Sequence, residues 1–126
     1  MKKEFIPYQQ ALALKELGFD EPCFGYYQKS AVIGDATILP IQIRNKASNF
    51  NDNEYSKMGV PFCSAPTFSQ AFRWFREKYW LDNAVLKDRY VIETREDLPI
   101  WYYGFNTYEE AELACLIKLI EIVKNK

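Results

Sequence analysis

From Thr107 to Lys124 the chain carries apolar residues around most of a helical circumference, and that stretch limits what the whole can fold into. Ala111, Leu113, Ala114, Leu116, Ile117, Leu119, Ile120, Ile122 and Val123 cannot all face one neighbour, so the helix they predict packs on more than one element. Thr107 and Glu110 open it as a capping box, in which each side chain satisfies an exposed backbone N–H of the other residue. Thr67 and Gln70 repeat the device. Behind them Phe68, Ala71, Phe72, Phe75 and Tyr79 share a stripe, while Ser69, Arg73, Arg76 and Glu77 face away. A further helix is predicted from Pro7, a residue type favoured at a first helical position, through Leu17, with Gly18 closing it in the left-handed conformation.

Between these helices lie runs rich in β-branched and aromatic residues, which predict strands. Cys23 to Gln28 and Ile38 to Arg44 form one pair, and Arg89 to Thr94 and Ile100 to Phe105 another. The order α-β-β-α-β-β-α predicts an α+β fold, an antiparallel sheet of about four strands covered by three helices. At 126 residues the chain is the size of one domain, and residues 1–126 are read as such. Aromatics at 17% supply ample core material, since each ring buries roughly 150 to 250 Å². Tyr8-Gln9-Gln10-Ala11-Leu12 and Phe68-Ser69-Gln70-Ala71-Phe72 share a pattern and each precedes two predicted strands, a topological hint of an αββ duplication. Residues 45–59, NKASNFNDNEYSKMG, are polar and turn-forming throughout and are expected to be a mobile loop, long against the usual connection of about 4 to 6 residues.

Three parts of the chain carry a resemblance. They are Phe5-Ile6-Pro7-Tyr8-Gln9-Gln10-Ala11-Leu12, the run from Ser64 through Phe72-Arg73-Trp74-Phe75 to Tyr79, and Thr107-Tyr108-Glu109-Glu110-Ala111-Glu112 with its helix. Through them the chain resembles a group of small uncharacterised proteins encoded by bacteriophages, prophages and related mobile elements of gut bacteria. The resemblance implies a genomic setting and no particular reaction.

Charge and composition exclude several functions. Sixteen basic residues against 17 acidic give a formal charge of -1, so no global field draws the chain to a polyanion or an anionic membrane. The N-terminal Met1 to Pro7 has no apolar stretch behind its lysines to act as a secretory signal, and no run approaches the ~20 apolar residues of a membrane span. Cys23, Cys63 and Cys115 are an odd set without CxxC spacing, which suits a reducing compartment, and the cytoplasm is expected. Histidine is absent, which removes the usual general base near neutral pH and the commonest metal ligand.

The remaining clusters have simpler accounts. Cys63 precedes the second helix closely enough to gain reactivity from its positive end, but in Pro61-Phe62-Cys63 it reads as a small, partly buried apolar residue. Asn49, Asn51 and Asn53 alternate like calcium ligands, yet Glu54 stands where glycine is needed and Val60 where a bidentate glutamate is. Glu109, Glu110 and Glu112 oppose a helix dipole, which explains them without catalysis. Neither a phosphate-binding loop nor a dinucleotide fingerprint occurs. No catalytic residue, cofactor or metal is therefore expected.

The most suggestive cluster is Phe72 to Trp80, where Arg73 and Arg76, with Trp80 beyond them, fall along the polar side of the helix and Trp74 lies at its border. Arg73, Trp74 and Arg76 can touch phosphates and stack a base, which makes nucleic acid the alternative partner. The leading expectation is a non-enzymatic accessory protein, monomeric or weakly dimeric, whose partner is another protein and not a membrane. A carboxylate-based enzyme ranks last.

Overall fold

The computed structural model describes residues 2–30, 32, 34–35, 37–52 and 62–126. They build an α+β fold of two compact units, residues 1–67 and 68–126, each with a three-stranded antiparallel sheet. Three α-helices run through it among the described residues, α1 (Tyr8–Glu16), α2 (Phe68–Tyr79) and α3 (Tyr108–Lys124). The predicted alternation of helices with antiparallel strands holds, and each strand pair gains a third member.

In the first unit, β1 (Cys23–Gln28) lies between β2 (Gln42–Ser48) and β3 (Phe62–Ala65). Pro7 stands just outside α1 as an extended residue whose carbonyl accepts the N–H of Ala11 at 2.9 Å. At the other end Gly18, at φ 94°, donates to Lys15 O, and Phe19 donates to Leu14 O, both at 3.0 Å. This pair of bonds is a Schellman cap, and it turns the chain so that Phe19 is buried. The helix packs on β3, and Lys15 Nζ donates to Phe62 O at 2.8 Å.

The second predicted strand is displaced. Ile38 makes only an isolated bridge to Lys29, and the ladder begins at Gln42, after Pro40, a residue with no N–H to donate. Asn45 to Ser48, read from sequence with the polar loop, continue β2. The chain then makes a tight turn in which Asn49 Oδ1 accepts from Asn51 N–H at 3.0 Å, and Phe50 goes into the core. Phe50, Tyr26 and Phe62 form one aromatic cluster, roofed by Arg44, whose guanidinium lies 5.1 Å from the Tyr26 ring centroid. Asn53 to Gly59, the rest of the predicted loop, lie outside the described residues.

β3 is buried along its whole length, and other parts of the unit hold it beyond its ladder with β1. Asn51 Oδ1 accepts from Ser64 N–H at 2.9 Å, Ser64 Oγ accepts from Phe50 N–H at 2.8 Å, and Ile6 N–H donates to Pro66 O at 3.0 Å.

The second unit is α2, then β4 (Asp82–Val85), β5 (Arg89–Glu93) and β6 (Ile100–Tyr103) in simple meander order, then α3. Thr107 caps α3 as expected, accepting from Glu110 N–H at 3.1 Å, but the reciprocal bond shifts by one residue: Glu110 Oε2 accepts from Asn106 N–H. α3 packs on α2, β4 and β5, which uses the wide apolar arc read from its sequence. Asn83 Nδ2 donates to the buried Cys115 Sγ at 3.5 Å, and Tyr90 and Ile92 are buried on the same face of the sheet. No helix among the described residues is long and apolar enough to cross a membrane.

Candidate functional site

Two features of the second unit stand apart from core packing. The first is the free edge of its sheet. Strand side chains alternate between faces, so Tyr102 falls with Tyr90, on which its ring stacks at 4.7 Å, while Trp101 and Tyr103 fall on the opposite face. Trp101 and Tyr103 stack loosely on each other at 6.3 Å, and Arg89, the register partner of Tyr103, sits 5.1 Å from its ring centroid. Leu98 is 85% exposed, Ile100 53%, Trp101 43% and Tyr103 63%. No charged side chain occurs in β6. Native sheet edges are normally blunted by a lysine, a proline or a bulge. β6 carries none of these along Ile100–Tyr103, and among the described residues no backbone hydrogen bond reaches its outer side. Charges flank it instead, a net negative run of Arg95, Glu96 and Asp97 before the strand and a net positive run of Lys87, Asp88 and Arg89 near its far end, where Asp88 accepts from Arg89 Nε at 2.9 Å.

The second feature is a hollow of about 490 Å³ where α2 ends, lined chiefly by Arg76, Glu77, Trp80, Asp82, Glu93 and Arg95. Trp80 has φ 59°, the left-handed region that glycine occupies freely and a bulky side chain does not. That conformation ends α2 and brings the ring, 56% exposed, between this hollow and a second one of about 460 Å³ lined in part by Tyr79, Glu96 and Ile122. The Arg95 guanidinium lies over the ring at 3.9 Å from its centroid. Asp82 and Glu93 are direct register partners across β4 and β5, and Arg76 Nε comes within 3.9 Å of Asp82.

The predicted base-stacking face is divided by the fold. Arg73 and Arg76 are exposed, but Trp74 is 4% exposed and packs edge-on against Phe75 at 5.1 Å and Tyr79 at 5.4 Å. Its ring cannot stack on a ligand. The buried arc of α2 is wider than the sequence stripe because the helix packs on both α3 and β4. Trp80 supplies the exposed ring instead, and its signal in the sequence was an aromatic on the polar side of the helix.

The remaining candidates fall where the simpler accounts put them. Cys63 is buried in β3, and burial pushes its thiol up to about 11 against the pull of Lys15. Burial likewise pushes the Cys115 thiol up to about 12, although the bond from Asn83 opposes it. Glu112 is raised by burial, and Glu109 and Glu110 lie in the first turn of α3. Among the described residues no group of three or more Cys, Asp and Glu is placed to hold a metal ion.

The class of structure these observations define is a small α+β protein whose second unit presents a bare aromatic sheet edge and, at the end of α2, a charged hollow lined by Trp80. In comparisons with known proteins the chain matches no family model, no curated protein and no solved structure.

Proposed function

We propose that this chain is a non-enzymatic accessory protein, of the kind encoded by phages and mobile elements, that acts by holding an extended segment of another protein along β6. The bare edge carries the reading. An added strand gains main-chain hydrogen bonds from the unpaired N–H and C=O groups, and alternate side chains supply selectivity. Both pairings of this sheet are antiparallel, and the added segment continues that arrangement. A segment lying antiparallel to β6 starts near Arg89 and ends near Asp97, so acidic residues at its start and basic residues at its end complement the edge. Between them, apolar side chains at every second position meet Trp101 and Tyr103.

The nucleic-acid alternative keeps the exposed Arg73 and Arg76 but has lost Trp74 to the core. The test uses a synthetic extended peptide of alternating valine and threonine with glutamates at its start and arginines at its end. It is expected to slow amide exchange in β6 while leaving β1 unchanged, and the Ile100→Lys/Trp101→Lys double variant is expected to abolish the protection. Equal protection by the charge-reversed peptide, or none at all, overturns the reading. So does sedimentation showing that β6 is occupied by a second copy of the chain.

A further inference from the structure

We infer that the hollow at the end of α2 is a binding site for a guanidinium group, of the kind an arginine side chain on a partner peptide presents, with Trp80 as its floor and Glu93 and Asp82 as its wall. The inference stands apart from the β6 reading, since it concerns different residues and a different mode of recognition.

The chemistry follows from what converges there. A guanidinium is planar, stacks on an indole face and pairs with carboxylates through its forked N–H groups. The ring is already shown to accept one, because Arg95 lies over it at 3.9 Å. Arg95 is thus an internal stand-in for the ligand, tethered by the exposed turn in which Asp97 N–H donates to Thr94 Oγ1 at 3.0 Å.

The carboxylates supply the second half. Like charges placed directly opposite across two strands destabilise a sheet, and Asp82 faces Glu93 in that way. Arg76 approaches only Asp82, at 3.9 Å, and among the described residues neither Glu77 nor Glu93 has an ion-pair partner. Glu77, Asp82 and Glu93 outnumber Arg76 and Arg95, so the lining favours a cation over a phosphate. Their spacing does not make a metal site. A bulky planar cation on an aromatic floor fits where a compact ion does not.

Trp80 keeps its ring at a backbone position where glycine would be unstrained. Trp80→Gly therefore preserves the local conformation while removing the floor. Arg95→Ala removes the internal competitor.

The experiment follows the Trp80 indole N–H resonance during titration with Nα-acetyl-arginine methylamide, with the buried Trp74 resonance as internal reference. Saturating shifts at Trp80 are expected with a dissociation constant on the order of millimolar, as befits one side chain on an open site. Glu93→Gln is expected to weaken binding about threefold, the scale of one exposed charge pair. Arg95→Ala is expected to strengthen it by a similar factor, and Trp80→Gly, followed through the backbone amides of Asp82 and Glu93, to abolish the shifts those amides show in the parent while spectra elsewhere remain unchanged. The inference is overturned if the arginine derivative leaves Trp80 unmoved, if Glu93→Gln binds as well as the parent, or if inorganic phosphate or adenosine monophosphate produces the shift instead.

Discussion

Asn51→Ala is expected to cost far more than a substitution in a polar turn normally does. The Asn51 side chain joins two parts of the first unit, its Oδ1 accepting from Ser64 N–H at 2.9 Å and its Nδ2 donating to Phe19 O at 2.8 Å. Alanine removes both bonds, and Ser64 is fully buried, so water does not readily replace the lost acceptor. The bond to Phe19 O is worth about 1 kcal/mol net, and stranding the buried Ser64 N–H costs about 1 to 3, which gives roughly 2 to 4 kcal/mol in all. Ser64→Ala strands the Phe50 N–H in the same way and is expected to cost about 1 to 3 kcal/mol. Because the two side chains belong to one network, the double variant is expected to lose less than their sum, by about 0.5 kcal/mol or more. Trp74, Trp80 and Trp101 all lie in the second unit, so tryptophan fluorescence is the wrong probe. Urea unfolding followed by the amide exchange of β1 and β3 reads the first unit directly. A loss for Asn51→Ala below about 0.5 kcal/mol, the range of ordinary surface substitutions, refutes the reasoning and makes the 49–52 turn an ornament of the fold.

Gly25→Ala is expected to destabilise the first unit by about 1 to 3 kcal/mol, because an added Cβ falls 2.9 Å from Ala65 O and 2.8 Å from the Phe5 ring; an unchanged urea midpoint counts against it. The buried thiols predict alkaline weakening. Cys63 and Cys115 are raised from 9.0 to about 11 and about 12, so their contribution is intact below pH 9 and is lost as pH rises through those values. Cys115→Ala is accordingly expected to flatten the fall in stability between pH 9 and 12, and an unchanged slope refutes the assignment.

Where local chemistry decides structure, the sequence was legible. Cys23–Gln28 occupies its predicted limits, Arg89 and Ile100 open their strands as read, and Thr107 and Gly18 cap their helices. The strands that escaped have tertiary causes. Phe62–Ala65 is buried on every residue and shows no alternation, and Asp82–Val85 is too polar to resemble a strand until β5 pairs with it. Of the candidate site, Arg73 and Arg76 were placed correctly on the exposed side of α2. Trp74 was not, because a helical wheel assumes one buried face and α2 has two neighbours. The β6 residues were read as a strand, but nothing local distinguishes an edge strand from a central one.

The pairing of Gly25 with Ala65 in the first unit, against the nearest-neighbour meander of the second, sets their folding speeds apart. β3 reaches β1 only after the chain has closed a span several times longer than the turn between β5 and β6. Closure entropy grows with the logarithm of length, so the extra cost is about 1.5 kcal/mol, close to a tenfold slower search. During synthesis the first unit emerges first, yet it must wait for Phe62–Ala65 before its sheet can close. The second unit closes by short hops, so its slowest step is the docking of α3, the last segment to arrive. Refolding from denaturant therefore gives two kinetic phases, with the tryptophan signal in the faster and the tyrosines of β1 in the slower.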